Sequence, residues 1–227
     1  MDRRAVAAVA ALDDDARSAL YAFVRAAESP VTREAAAEAV GISRKLAAFH
    51  LEKLVDAGLL VSGIEAVGVP RVGRTPKVYE PASSDLAVHV PPREPEVLAE
   101  ILVEAVLTER GDERADQAVM RVARERGFAA GATERDRVRP GRIGSERALG
   151  LAGSLLEQHG FEPTRADAGL RLRNCPFHPH ASKAPGLVCG LNHAFISGLL
   201  DGLQAEASVE AILAPTPGAC CVRLQPR

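Results

Sequence analysis

Apolar residues recur at helical spacing through the first sixty positions. In DARSALYAFVRAA, residues 15–27, Leu20, Phe23 and Val24 share one side with Ala16 and Ala27, which predicts a helix that Ser29 and Pro30 end. Thr32 stands where a cap belongs, before REAAAEAV, and Gly41 stands where a helix closes. Ser43 opens a third helix, RKLAAFHLEKLVDA, which Gly58 ends. Two short helices joined by Gly41, Ile42 and Ser43 have the spacing of a helix-turn-helix. On the third helix Ala47, His50, Leu51, Leu54 and Val55 fall on the inward side, while Lys45, Ala48, Phe49 and Glu52 lie opposite. Leu59–Ile64 and Lys77–Glu80 read as two strands of a hairpin, with a Gly/Pro-rich tip carrying Arg71 and Arg74 and no acidic residue from 66 to 79.

After a Pro/Ser-rich break over residues 81–96 the pattern changes. Pro95 opens EVLAEILVEAVLTER, which is apolar on two sides and so predicts either a buried helix or a helix shared with a partner. A second helix covers residues 115–131, the Arg- and Gly-rich residues 131–147 read as a mobile loop, and a third helix runs to Gly160. Residues 161–174 read as a hairpin, a helix begins at Leu187, and two strands, VEAILAP and CCVRLQP, end the chain. Alternation in the last strand would send Cys220 and Cys221 to opposite faces. The fold class expected is α+β. A winged helix-turn-helix domain occupies residues 1–82, a linker and helical dimerisation region 83–142, and a C-terminal α/β sensor domain with a Cys site 143–227.

Charge sharpens the picture. The net charge of the 227 residues is −2, so any nucleic-acid surface must arise from local clustering of cations. Such clusters exist. Ser43, Arg44 and Lys45 sit at a helix start, where backbone N–H groups and cations meet phosphate. Phe49 lies on the outward face, where an aromatic ring can touch a thymine methyl, and Arg71, Arg74 and Lys77 serve the flanking backbone. Base reading falls to Lys45 and Phe49. A homodimer on a double-stranded, pseudo-palindromic operator follows from the two-half-site habit of such readers.

The N-terminal apolar run ends in three Asp and reads as a leading helix or tail, not a signal segment. No run of about 18 apolar residues suggests a membrane span. A cytoplasmic protein is therefore expected, with its four cysteines reduced and pointing to metal or redox chemistry. Cys175 ends a strand, Cys189 falls in the expected first turn of a helix, where the dipole favours a thiolate, and Cys220 or Cys221 starts a strand. These points suit a soft metal or an iron–sulfur cluster. Zinc held with His178 or His193, a bare thiol switch and inert buried thiols are the alternatives. No phosphate loop, dinucleotide fingerprint or nucleophile motif argues for an enzyme, and Cys189 beside His193 is placed equally well for ligation.

The segment SRKLAAFHLEKLVDAGLL, followed by GRTPKVYEP, resembles the winged helix-turn-helix of ArsR/MarR-like bacterial transcriptional regulators over residues 16–82. In particular it is similar to the branch that includes SufR-type iron–sulfur repressors. A Cys-Pro, a second Cys one turn into a helix, and a G-x-C before the last strand carry that likeness into the C-terminal third. The resemblance implies Cys175, Cys189 and Cys220 as ligands of an Fe–S cluster whose loss or oxidation changes operator affinity. A winged-helix regulator with a structural zinc (Zn) site and a small-molecule effector is the alternative.

Overall fold

The computed structural model describes residues 3–64, 76–83, 87–141, 143–166, 169–216 and 218–227. The chain divides into two compact units, Met1–His89 and Val90–Arg227.

The first unit runs α1 (Arg3–Ala11), α2 (Asp15–Ala26), β1 (Val31–Thr32), α3 (Arg33–Val40), α4 (Arg44–Asp56), β2 (Leu60–Ile64) and β3 (Lys77–Pro81). Short polar side chains set the helix starts. Asp14 accepts from the Arg17 amide at 2.9 Å, Thr32 from Ala35 at 3.2 Å and Ser43 from Leu46 at 3.2 Å. Each such cap contributes about 1 kcal/mol. Gly41 adopts φ 73°, the left-handed turn that the α3–α4 junction requires. Leu20, Val24, Ala36, Ala47, Leu51, Leu54, Leu60 and Tyr79 form the core, whose alanines let α2, α3 and α4 approach closely.

The three strands form an antiparallel sheet in the order β1-β3-β2. β1 is an addition to the expected hairpin. Val31 is buried and Thr32 is already extended as the cap of α3, so the pair joins the free edge of β3. The hairpin register sets Ile64 opposite Lys77 and Ser62 opposite Tyr79. Its tip, with Arg71 and Arg74, lies outside the described residues.

The second unit runs α5 (Pro95–Leu107), α6 (Ala115–Val138), α7 (Ser145–Gln158), β4 (Pro163–Ala166), β5 (Gly169–Leu172), α8 (His180–Lys183), α9 (Pro185–Gly202), β6 (Val209–Leu213) and β7 (Val222–Pro226). The strands form an antiparallel sheet in the order β4-β5-β7-β6. One core joins all of it: Leu98 and Ile101 of α5 and Val122 of α6 share a cluster with Leu149, Leu172, Leu199 and Val209. The helices expected to form a region of their own are thus built into the unit that carries the cysteines.

The axis of this unit is the α6–α9 pair, which meets backbone to backbone. A Cβ at Gly198 would stand 2.0 Å from the Arg124 carbonyl oxygen, and one at Gly202 would stand 2.2 Å from that of Phe128. No side chain fits there. The same packing corrects the expected loop at residues 131–147. Gly131 is a contact residue inside α6 rather than its end, and the helix continues to Val138. Glu134 is buried and chelated by Arg137 at 2.8 and 2.6 Å, and Arg135 donates to the Leu203 carbonyl at 2.9 Å. These bonds hold the last turns. The arginines of this stretch are largely occupied internally: Arg121 with Glu113, Arg124 with Asp201, and Arg126 with Glu100 and Glu104.

Candidate functional site

Two places carry chemistry, one in each unit. In the first, α4 turns Ala47, His50, Leu51 and Leu54 inward, as its spacing predicts, and leaves Ser43, Arg44, Lys45, Leu46 and Phe49 exposed. Phe49 is 55% exposed, an unusual position for a ring that only packs. It meets His50 edge to face at 5.3 Å and lies beneath Lys53 Nζ at 5.9 Å. Leu46, also exposed, adds an apolar residue to this face that the sequence reading did not single out. Arg44 is ion-paired with Glu34 of α3.

Lys77 differs from the simple phosphate contact expected of it. Its Nζ lies 2.6 Å from Glu52 Oε1, and the same oxygen accepts from the Tyr79 hydroxyl at 2.7 Å. The Lys77 hydrogen bond, opposed by burial and helped by Tyr79, holds the Glu52 carboxyl below its usual range. Burial and then the Glu52 bond push the Tyr79 phenol up. Lys77 thus ties the start of β3 to α4, and a phosphate would have to compete with Glu52 for its charge.

In the second unit the four cysteines converge. Cys175 follows the end of β5, Cys189 lies on α9, and Cys220 and Cys221 occupy the bend that precedes β7. The Cys220 amide donates to the Leu172 carbonyl at 2.8 Å, which brings the bend beside the end of β5. Cys175 and Cys220, Cys220 and Cys221, and Cys221 and Cys189 are hydrogen-bonded through their side chains. All four are free thiols. The expectation that Cys220 and Cys221 face apart fails because they sit in a bend, not in the strand, where alternation would apply.

The thiols polarise one another. Cys221 is drawn down to about 6, first by the bond from Cys220, with Cys189 and Asn192 adding and burial opposing. Cys175 is lowered, chiefly by its bond with Cys220. Cys220 is pushed up by donating to Cys175 and Cys221 and by burial. Cys189 is pushed up to about 12 by burial and then by its bond with Cys221. That reverses the expectation of an activated thiolate at Cys189. α9 begins at Pro185, so Cys189 lies a full turn inside it, past the free N–H groups that lower a thiol.

The histidines do not join this group. His178 and His180 are exposed, and His193 Nε2 lies 3.0 Å from the Ala211 carbonyl. The donor set is therefore sulfur alone, the chemistry that suits a soft metal or an iron–sulfur cluster. Among the described residues no group of three or more His, Cys, Asp or Glu side chains is placed to hold a metal ion as it stands. The thiols form a hydrogen-bonded chain, each serving as donor or acceptor for the next.

Two asparagines support the cluster, and sequence reading passed over both. Asn192, one turn after Cys189, donates to Cys220 Sγ at 3.0 Å. The available signal was the one amide side chain of α9, set next to Leu191 in a largely apolar helix. Asn174 is buried, and its Nδ2 donates to the Pro92 and Gly160 carbonyls at 2.7 Å each. Arg93 donates to Asn174 Oδ1 and, at 3.1 Å, to the Cys175 carbonyl.

Residues 12–62 match the family model described as a helix-turn-helix domain. No match was found among curated proteins or solved structures. The matched segment contains α2, α3 and α4, so it covers the exposed face of α4 and supports a winged helix-turn-helix regulator. It lends no support to iron–sulfur specificity, because it ends before the cysteines. No described helix is long and apolar enough to cross a membrane.

Proposed function

We propose that this chain is a DNA-binding transcriptional repressor that senses redox or iron status through an Fe–S cluster in its second unit. The observation that carries the reading is the connected group of four free thiols, without histidine, in a chain that also bears a helix-turn-helix. Cys175, Cys189 and Cys220 are the sulfurs assigned to the centre, with Cys221 as the fourth. A cluster held there supplies a charge that changes on oxidation or loss of iron.

The chain's own residues offer a route from that site to the DNA-binding unit. Residues 90–94 open the second unit and are held at the cysteine loop. The Glu94 amide donates to the Pro176 carbonyl at 3.0 Å, and Arg93 donates to the Cys175 carbonyl and to Asn174. A rearrangement of the Cys175 loop would act directly on these residues, which continue the chain from the first unit. Two placements of that loop, favoured by different states of the thiols, give the population shift a sensor needs.

On DNA, Lys45 and Phe49 read base edges, and Arg44, Arg71 and Arg74 contact the phosphate backbone. Lys77 contributes when a phosphate draws it from Glu52. Homodimerisation is supported by α5, where Leu98, Ile101 and Ala105 face the core while Val103, Val106 and Leu107 are exposed on the other side. Beside them Leu102, Val106, Val119 and Leu187 line an apolar hollow of about 470 Å³. A second copy of α5 and its neighbours would cover this surface.

The test is an absorption spectrum of anaerobically purified protein, with iron, sulfide and zinc assayed on the same sample. The reading expects visible absorption with iron and sulfide, lost in Cys175→Ser and Cys220→Ser. Zinc alone, or no metal, contradicts it.

A further inference from the structure

Among the described residues, two buried side-chain polar atoms lack a hydrogen-bond partner: His50 Nδ1 and Asn192 Oδ1. Asn192 is fully buried on α9, between Leu191 and the Phe195 turn. Its Nδ2 lies 3.0 Å from Cys220 Sγ and 3.9 Å from Cys221 Sγ. An amide buried with its carbonyl unpaired costs about 1–3 kcal/mol, and a neutral thiol, a weak acceptor, offsets little of that. A sulfur bound to a metal carries more negative charge and accepts more strongly, because hydrogen bonds to charged acceptors are about twice as strong. The amide faces its donor to the sulfurs and leaves its oxygen unmatched.

We propose that Asn192 is a positioning residue for the sulfur centre, whose Nδ2 fixes the Cys220 and Cys221 sulfurs in the placement that binds metal. This rests on the thiolate-centre reading given above and names the residue that sets its affinity. Cys189 and Asn192 stand three residues apart on one face of α9. The helix thus presents a ligand sulfur and the donor that orients two others. Partners of this kind, hydrogen-bonded to a ligand, typically contribute about 10–100-fold in metal affinity.

The experiment uses the full chain, reduced, freed of metal and kept anaerobic, titrated with Co²⁺. Sulfur-to-cobalt charge-transfer absorption reports thiolate ligation, and competition with Zn²⁺ gives the affinity. Asn192→Leu keeps the volume and removes the donor, while Asn192→Asp keeps the shape and replaces the donor with an acceptor. Both should weaken binding about tenfold or more. The melting temperature of metal-free Asn192→Leu should stay the same or rise, since an unmatched buried group is gone. If Asn192→Leu does not fold, Asn192→Asp carries the comparison. A side chain that only packs would give the opposite pair, a lower melting temperature with unchanged affinity, and that result overturns the proposal. Wild-type chain that binds no Co²⁺ through sulfur overturns the thiolate-centre reading and this inference together. Equal affinity in wild type and both variants overturns the inference alone.

Discussion

Gly127 on α6 faces the Phe195 carbonyl of α9 so closely that a Cβ would stand 2.0 Å from the oxygen. This contact and its counterparts at Gly131, Gly198 and Gly202 set the spacing of the helix on which Cys189 and Asn192 sit. Gly127→Ala must push the helices apart and should destabilise the chain by at least the ~1–3 kcal/mol typical of overpacking. Gly150 is the control: it is helical, exposed and open to a Cβ. Gly150→Ala should stabilise by about 0.5–1 kcal/mol. Urea unfolding of the two variants checks both signs.

Phe49→Ala removes an exposed ring and should change stability by no more than about 0.5 kcal/mol. In operator binding it should lower discrimination between sequences by about 1–3 kcal/mol. Arg44→Ala should instead weaken binding to all sequences and reduce the slope of log affinity against log salt by about 1. Binding isotherms at several salt concentrations separate the two effects.

Burial holds His159 below the usual histidine range, with its ring edge-on to Phe195 at 5.2 Å. The unfolded chain therefore takes up the proton first as pH falls. The stability tied to a neutral His159 is fully present above about pH 6.5, the ordinary histidine value, and is lost as pH drops through the lower folded value. His159→Gln should flatten the pH dependence between neutrality and pH 5. Denaturation midpoints of both proteins across that range test the sign.

Arg93→Ala removes the bonds to Asn174 and the Cys175 carbonyl. It touches no thiol, so metal content should remain. The difference in DNA affinity between intact and oxidised protein should shrink. A variant whose DNA binding responds to oxidation as wild type does would show that the signal takes another route.

Much of the first unit is legible from residues that act locally. Thr32, Gly41 and Ser43 determine helix ends through their own side chains and backbone, and the inward face of α4 follows from spacing alone. The continuation of α6 through Gly131 was not legible, because a glycine that ends a helix and one that packs against another helix look alike in sequence. The cysteines were visible as candidates, but their relationship was not. Cys220 and Cys221 share a site because the amide of Cys220 pairs with Leu172, a contact between residues far apart in the chain. Arg93 and Asn174 were invisible for the same reason. The pairing of Lys77 with Glu52 likewise depends on how the hairpin meets α4.

The central claim is that the thiols of the second unit govern the DNA affinity of the first. The most direct measurement takes a duplex selected from a random pool by the anaerobically purified protein. Its Kd is then measured for that protein, for the same sample after peroxide oxidation, and for Cys175→Ser, all at one salt concentration. The account predicts a shift of at least about tenfold, or 1.4 kcal/mol, on oxidation, and no further shift when Cys175→Ser is oxidised. Equal affinity before and after oxidation, with the centre shown to have been lost, would contradict it.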